Sequence, residues 1–283
     1  MRCTSSASSA PPRGVGHAIE YAGSTIEALG VEARLTLCNL TVELGARSGV
    51  IAPDDKTYAY VKGRRFAPQG EDFDAAVASW RDLKSDPDAV FDREEFIDAS
   101  LVAPTVTWGT SPEHAIAIDA LIPDPQHAAS ADADGVAQAL DYMGLRANAP
   151  IAGTPIDWVF IGSCTNSRLS DLRLAADLAR GRQVAPNVHA WVVPGSEDVK
   201  RAAEAEGLHE VFLAAGFEWR EPGCSMCVAA NGEQVPPKAR CVSTSNRNFV
   251  GRQGPQARTH LASPAMAVAA AVTGRLSDVR TLA

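Results

Sequence analysis

The apolar residues of this chain follow two rhythms. Up to about residue 120 helical spacing dominates. Ile19–Leu29 reads as a helix stopped by Gly30, and Asn39 as the cap of a short helix that runs to Ser48 and is closed by Gly49. Asp54 or Asp55 caps a further helix through Val61, and Asp72–Leu83 places Phe73, Val77 and Trp80 on one face. Val106–Trp108 reads as a strand running into Gly109. Pro123–Gly135 is rich in loop formers, and the short helix Val136–Met143 stops at Gly144.

After residue 150 the rhythm changes. Trp158–Ile161 is a continuous apolar run, the pattern of a strand buried on both faces. Ala190–Val193 and Cys241–Thr244 read as further strands. Between and after them lie the helices Asp171–Arg180, Ser196 to Glu206, Leu208–Ala215 and Pro264 to Gly274, the last with Ser263 as cap and proline in its first turn. Strand, loop and helix in repetition predict an α/β fold with a largely parallel sheet. The expected organisation is a disordered Ser/Ala/Pro-rich leader over 1–13, an α/β domain over 14–122, a linker region over 123–150 and a second α/β domain over 151–283.

Composition narrows the classes. The chain has 283 residues, 46% hydrophobic and 21% charged, with 26 Lys+Arg against 34 Asp+Glu, a formal net charge of −8. This balance is globular, and its sign argues against a general nucleic-acid binder or a polybasic membrane binder. The longest apolar run, near Ala265–Val272, is far short of the roughly 20 residues that cross a bilayer. The first 13 residues lack the apolar core of a secretory signal, so a reducing cytoplasm is expected.

Three of the six cysteines then stand out. Cys164 follows the Trp158–Ile161 strand, at the carboxyl end where open α/β sheets place ligands. Cys224 and Cys227 form a C-x₂-C turn after Glu221-Pro222-Gly223, and 59 residues separate Cys164 from Cys224. A structural zinc site needs a fourth ligand, which no second C-x₂-C or close His pair supplies. A thioredoxin-like motif would open a helix after a strand, whereas this one follows a Pro-Gly turn. On spacing alone, a metal or cluster centre and ordinary thiols both remain open.

Several longer words settle on one resemblance. Ile161-Gly-Ser-Cys-Thr-Asn-Ser-Arg168, Pro222-Gly-Cys-Ser-Met-Cys227 and Ser243-Thr-Ser-Asn-Arg-Asn-Phe-Val-Gly-Arg-Gln253 resemble the aconitase superfamily, and within it the large subunits of bacterial isopropylmalate dehydratases. Gly16-His-Ala-Ile-Glu-Tyr-Ala-Gly23, Thr36-Leu-Cys-Asn39, Tyr60-Val-Lys-Gly63, Thr107-Trp-Gly-Thr110, Val192-Val-Pro-Gly-Ser196 and Phe217-Glu-Trp-Arg220 extend it from about Gly14 to the C-terminus. The resemblance implies layered α/β/α domains and a hydro-lyase that interconverts 2- and 3-isopropylmalate, in leucine biosynthesis.

It implies Cys164, Cys224 and Cys227 as ligands of a [4Fe–4S] cluster whose fourth iron, a Lewis acid, is open to substrate. It implies Asn39, Asn246, Arg247 and Arg252 as contacts of a dicarboxylate substrate, for which Arg offers planar bidentate donors. Glu43 is implied as the catalytic group beside the departing hydroxyl. Asn39 and Glu43 also have plain readings, as a helix cap and a first-turn carboxylate. Ser163, Thr165, Asn166 and Ser167 are expected to donate hydrogen bonds around the cluster or substrate. Cys38 and Cys241 read as small buried hydrophobes, and Arg240 and Arg258 as surface charges. The family also works as a heterodimer, in which a small subunit supplies the serine that moves the carbon-bound proton.

The N-terminal domain of the family pattern, with its Asp-Ser-His-Thr motif, has no counterpart in this sequence. The leader 1–13 is therefore expected to mark a truncated or misassigned start. Two further expectations stand beside the dehydratase: a non-catalytic remnant that binds a cluster or partner, and a related hydro-lyase acting on homoaconitate, citrate or a methylmalate.

Overall fold

A computed structural model of the chain describes residues 14–128 and 133–282. The leader 1–13 lies outside the described residues. The chain divides into two compact units, one ending at Ala99 and the other beginning at Ser100.

The first unit begins with β1 (Ala18–Glu20), α1 (Ser24–Ala28) and α2 (Val31–Leu40), followed by a 3₁₀ turn over Thr41–Leu44. β2 (Ser48–Val50) pairs with β1 in parallel, and α3 (Asp55–Val61) and α4 (Glu71–Trp80) complete it. The expected helix over Ile19–Leu29 is thus a strand and a short helix, and Gly30 precedes α2 instead of ending a helix. Ile19 and Glu20 alternate in a way that fits both periods, and the pairing with β2 decides between them. Asp54 caps α3 by accepting from the Thr57 amide at 3.1 Å, as its position in the sequence suggests. Buried Arg34 ties the unit together, donating to Leu29 O, Glu27 O and, at 2.6 Å, the Asp54 carboxylate.

The second unit opens with the antiparallel pair β3 (Thr105–Thr107) and β4 (Ala115–Ala117), then α5 (Ala133–Met143). A regular alternation follows: β5 (Trp158–Ile161), α6 (Leu169–Ala179), β6 (His189–Val192), α7 (Glu197–Ala205), α8 (Leu208–Ala214), β7 (Glu218–Trp219), β8 (Arg240–Ser243), β9 (Arg258–Leu261) and α9 (Pro264–Thr273). The strands form one sheet in the order β7-β6-β5-β8-β9, every pair parallel. The α/β fold with a parallel sheet is therefore as expected.

Alternation along β5 divides two cores. Val159 and Ile161 join the larger one, with Leu172 and Ala175 of α6 and Ala267 and Ala271 of α9. Phe160 joins the smaller one on the other side, with Val193, Cys241, Val235 and Met226, against which Trp158 packs. α9 is alanine-rich and almost wholly buried, so it can lie close against the sheet layer. Ser263 caps it, and Gly274 at φ 69° closes it.

Residues 123–150, expected as a linker region, belong to the second unit. α5 buries Val136, Ala139, Leu140 and Met143, the first three in the same core as β5. Loop formers before residue 135 mask that apolar stripe, and residues 129–132 lie outside the described set. The boundary at Ala99 replaces the one expected near 122, because β3 and β4 carry Val106 and Ile116 to the larger core.

Candidate functional site

The strand order creates one special place. From β5 the chain goes outward to β6 and β7, then returns as β8 on the other side of β5. Loops leaving the carboxyl ends of β5 and β8 therefore diverge to opposite sides, which opens the crevice where parallel sheets bind ligands. Cys164 lies on the first loop, and Asn246, Arg247 and Arg252 lie on the second.

Side chains lace the two loops together. Thr244 Oγ1 donates to Gly162 O at 2.7 Å and accepts from the Gly162 amide at 2.9 Å. Asn246 Oδ1 accepts from Thr165 Oγ1 at 2.8 Å and from Asn166 Nδ2 at 3.2 Å. The Asn246 oxygen is thus used inward, toward the loop after β5. Ser163, beside Cys164, sits at φ 84°, a left-handed conformation costly for a non-glycine residue. Its hydroxyl bonds to Thr165 Oγ1 at 2.7 Å and accepts from the Thr165 amide at 3.2 Å. Ser167 Oγ instead donates to Val193 O, which ties this loop to the end of β6. Gly195 meets the same loop so closely that a Cβ there would stand 2.9 Å from Ser167 O.

The C-x₂-C turn comes to the same region from β7. Cys164 and Cys224 are exposed, Cys227 is half-buried, and fully buried Met226 anchors the turn in the smaller core. Burial pushes the Cys227 thiol up, and the charges of Cys224 and Cys164 push it the same way, while the Arg252 guanidinium beside it pulls it down. Arg252 Nε is buried with no partner among the described residues. Arg247 is exposed on the same loop.

This environment fits a thiolate-held cluster. Cys164 and Cys224 lie near enough to Cys227 to push its thiol up, the Arg252 guanidinium stands beside that thiol, and the buried Arg252 Nε has no partner among the described residues. Among the described residues no three His, Cys, Asp or Glu converge on a single-ion site. A polynuclear cluster takes one thiolate per iron, so its ligands stand farther apart than those of one ion. Cys241 is fully buried in β8 and Cys38 is partly buried in α2, both raised in pKa by burial, as small hydrophobes would be.

Asn39 and Glu43 lie in the first unit. Asn39 is exposed in the last turn of α2, so its expected role as a cap is not the observed one: the helix starts eight positions upstream at Val31. Glu43 is half-buried in the 3₁₀ turn over Thr41–Leu44, in its first turn as expected.

Arg240 departs most from its expectation as a surface charge. It is buried, donating to Met143 O at 2.8 Å and to His260 Nε2 at 2.8 Å. A guanidinium only donates, so Nε2 accepts and Nδ1 carries the proton given to Thr107 O at 2.6 Å. Burial, with the Arg240 charge second, drives His260 down to about 3, so the ring is neutral. Arg258 is half-buried and donates to Tyr142 O, so it too is not a free surface charge. Asn248, buried in the Asn-Arg loop, donates to Thr107 Oγ1 at 3.2 Å and Gly109 O at 2.6 Å. Thr107 thus braces that loop from β3. Arg240 finds His260 20 positions away and Met143 97 away, while Arg258, Asn248 and His260 reach partners more than a hundred positions off, and the only local signal was the apolar setting of β8 and β9.

The profile of the family described as "Aconitase family (aconitate hydratase)" matches residues 8–274. The 3-isopropylmalate dehydratase large subunit 1 of Bradyrhizobium diazoefficiens is 66% identical over 270 residues, covering 95% of this chain and 57% of that protein. The 3-isopropylmalate dehydratase large subunit of Gloeobacter violaceus is 59% identical over the same shares of each chain. The chain thus spans somewhat more than half the length of these relatives.

Proposed function

Because the chain belongs to the aconitase family, we propose that it is the cluster- and carboxylate-binding portion of a hydro-lyase large subunit, of the isopropylmalate dehydratase type for which its relatives are named. The reaction is the interconversion of 2- and 3-isopropylmalate by dehydration and rehydration, in leucine biosynthesis. The observation that carries this reading is the meeting of the cysteine turn with Arg252 of the Asn-Arg loop, a thiol site and a carboxylate donor side by side.

Cys164, Cys224 and Cys227 are the residues that would hold a [4Fe–4S] cluster. Bound there, it would supply a Lewis acid for the substrate's hydroxyl and carboxylate. Arg247 and Arg252 clamp carboxylates, and Asn246 adds an amide donor oriented by Thr165 and Asn166. Asn39 as a further substrate contact and Glu43 as the group handling the proton of the departing hydroxyl rest on the family likeness. The partner is a small subunit that completes the heterodimer, and the five cysteines of the described residues, all unpaired, suit a reducing cytoplasm. Among the described residues no helix is long and apolar enough to cross a membrane.

Anaerobic incubation with iron and sulfide tests the ligand set, because a bound cluster absorbs visible light and the apo chain does not. No absorbance would overturn the cluster assignment. Turnover is tested by replacing the matching 270 residues of the Bradyrhizobium protein with this chain's and adding its small subunit. Isopropylmalate conversion is expected. A loaded but inactive chimera would favour a cluster-binding protein without hydro-lyase activity.

A further inference from the structure

We propose that Arg220 and Glu233 form a latch that closes the cysteine turn upon itself and pre-shapes it for its ligand, with Glu233 as the positioning residue. The two residues stand at either end of the segment that carries Cys224 and Cys227. Arg220 Nη2 donates to the Glu233 carboxylate and Nη1 to Glu218 Oε2 at 3.1 Å. The guanidinium carbon also lies 4.0 Å from the ring centroid of Trp191 on β6. Arg220 thereby fastens the far end of the segment to the sheet as well as to its near end.

The segment needs such a fastening. Ser225, Ala229 and Asn231 have φ of 45°, 54° and 58°, three left-handed non-glycine residues within seven positions. Conformations of this kind persist only where surroundings over-determine them. Backbone bonds inside the turn, Cys227 N to Cys224 O and Glu233 N to Ala230 O, are short-range and leave its overall shape open. Met226, buried in the smaller core, and Cys227, packed against it, anchor the turn from within, and the Glu233 carboxylate holds it from its end. The buried Ser225 hydroxyl lies near enough to that carboxylate to help hold its pKa below the usual range. Glu233 therefore meets the turn at its middle, through Ser225, and at its start, through Arg220.

What the turn holds rests on the cluster reading above, whereas the latch itself does not, and the test separates them. The apo chain is alkylated with iodoacetamide and each cysteine is followed by peptide mass spectrometry. Cys164, on another loop, is the reference, and buried Cys241 reports that the fold is intact. Glu233→Ala is expected to speed alkylation of Cys227 relative to Cys164 by roughly fivefold, the ratio that a partly exposed ion pair carries. Arg220→Ala should do the same, and the double variant should add little to either. Unchanged Cys227 rates, or additive effects, would overturn the latch. Should Glu233→Ala expose Cys241, Glu233→Gln decides: it keeps the side chain's shape and loses the charge, and no acceleration there sinks the proposal. Failure of the wild-type chain to take up iron and sulfide would instead count against the cluster reading alone.

Discussion

Thr165 donates its hydroxyl hydrogen to the side-chain oxygen of Asn246 across 2.8 Å, and so joins the loops that follow β5 and β8. The hydroxyl is buried, and removing one partner of a buried bond leaves the other unsatisfied. Thr165→Val should cost about 1–2 kcal/mol of thermal stability. In the loaded chimera it should raise KM for isopropylmalate more than it lowers kcat, because it disturbs Asn246, the donor proposed to bind the substrate. Calorimetric melting and steady-state kinetics give the two readings.

Cysteine substitutions should sort cleanly. Cys164→Ala, Cys224→Ala and Cys227→Ala should each abolish the visible absorbance after anaerobic reconstitution. Cys38→Ser should retain it. Cys241→Ala should also retain it while losing about 1 kcal/mol of stability, as a fully buried side chain is trimmed. Retained absorbance in Cys164→Ala would refute the proposed ligand set.

The buried Arg240–His260 pair predicts a pH dependence. His260 is held down to about 3 in the fold, whereas an unfolded histidine titrates near about 6.5. Between those values the unfolded chain binds the extra proton, so stability rises with pH, and acidification below about 6.5 removes it by at most about 1.4 kcal/mol per pH unit. His260→Asn keeps a donor for Thr107 O and should flatten this slope. Urea titrations from pH 7 to pH 4 measure it.

The first unit carries an acid limb of the opposite group type. Arg34 holds the Asp54 carboxyl down to about 2. A depressed carboxyl stabilises above its unfolded value near about 3.9 and loses that contribution as pH falls toward the folded one. Asp54→Asn should destabilise the unit by about 1 kcal/mol at pH 7, a figure reduced for the carboxylate's partial exposure, and should weaken the loss below pH 4.

Gly254 closes the Asn-Arg loop at φ 137°, and a Cβ there would stand 2.5 Å from Val235 O. Both conformation and space exclude a side chain, so Gly254→Ala should cost more than about 2 kcal/mol, read as a lowered melting temperature.

The second unit was more legible in the sequence than the first, for a physical reason. Trp158–Ile161 is buried on both faces of a parallel sheet, so its apolar run has one reading, and Gly181, Gly207 and Gly274 end their helices in the left-handed conformation glycine favours. In the first unit a three-residue strand such as Ala18–Glu20 carries too few positions to separate two periods. The cysteines and the Asn-Arg loop could be recognised as words. Arg240, Asn248 and Glu233 could not, since their roles depend on partners that only the folded chain brings near: His260, Thr107 and Arg220.

The order β7-β6-β5-β8-β9 also sets a timetable. β5 is made early in its unit, but its neighbour β8 follows only after two other strands and three helices have been synthesised. Parallel pairing across so long a stretch of chain is slow, because loop closure must come before the contacts that reward it. The crevice is thus among the last features of the molecule to exist. Cys164 and the Cys224–Cys227 turn leave the β5-β6-β7 side of the sheet, and the arginines of the Asn-Arg loop come to meet them only when β8 slides home.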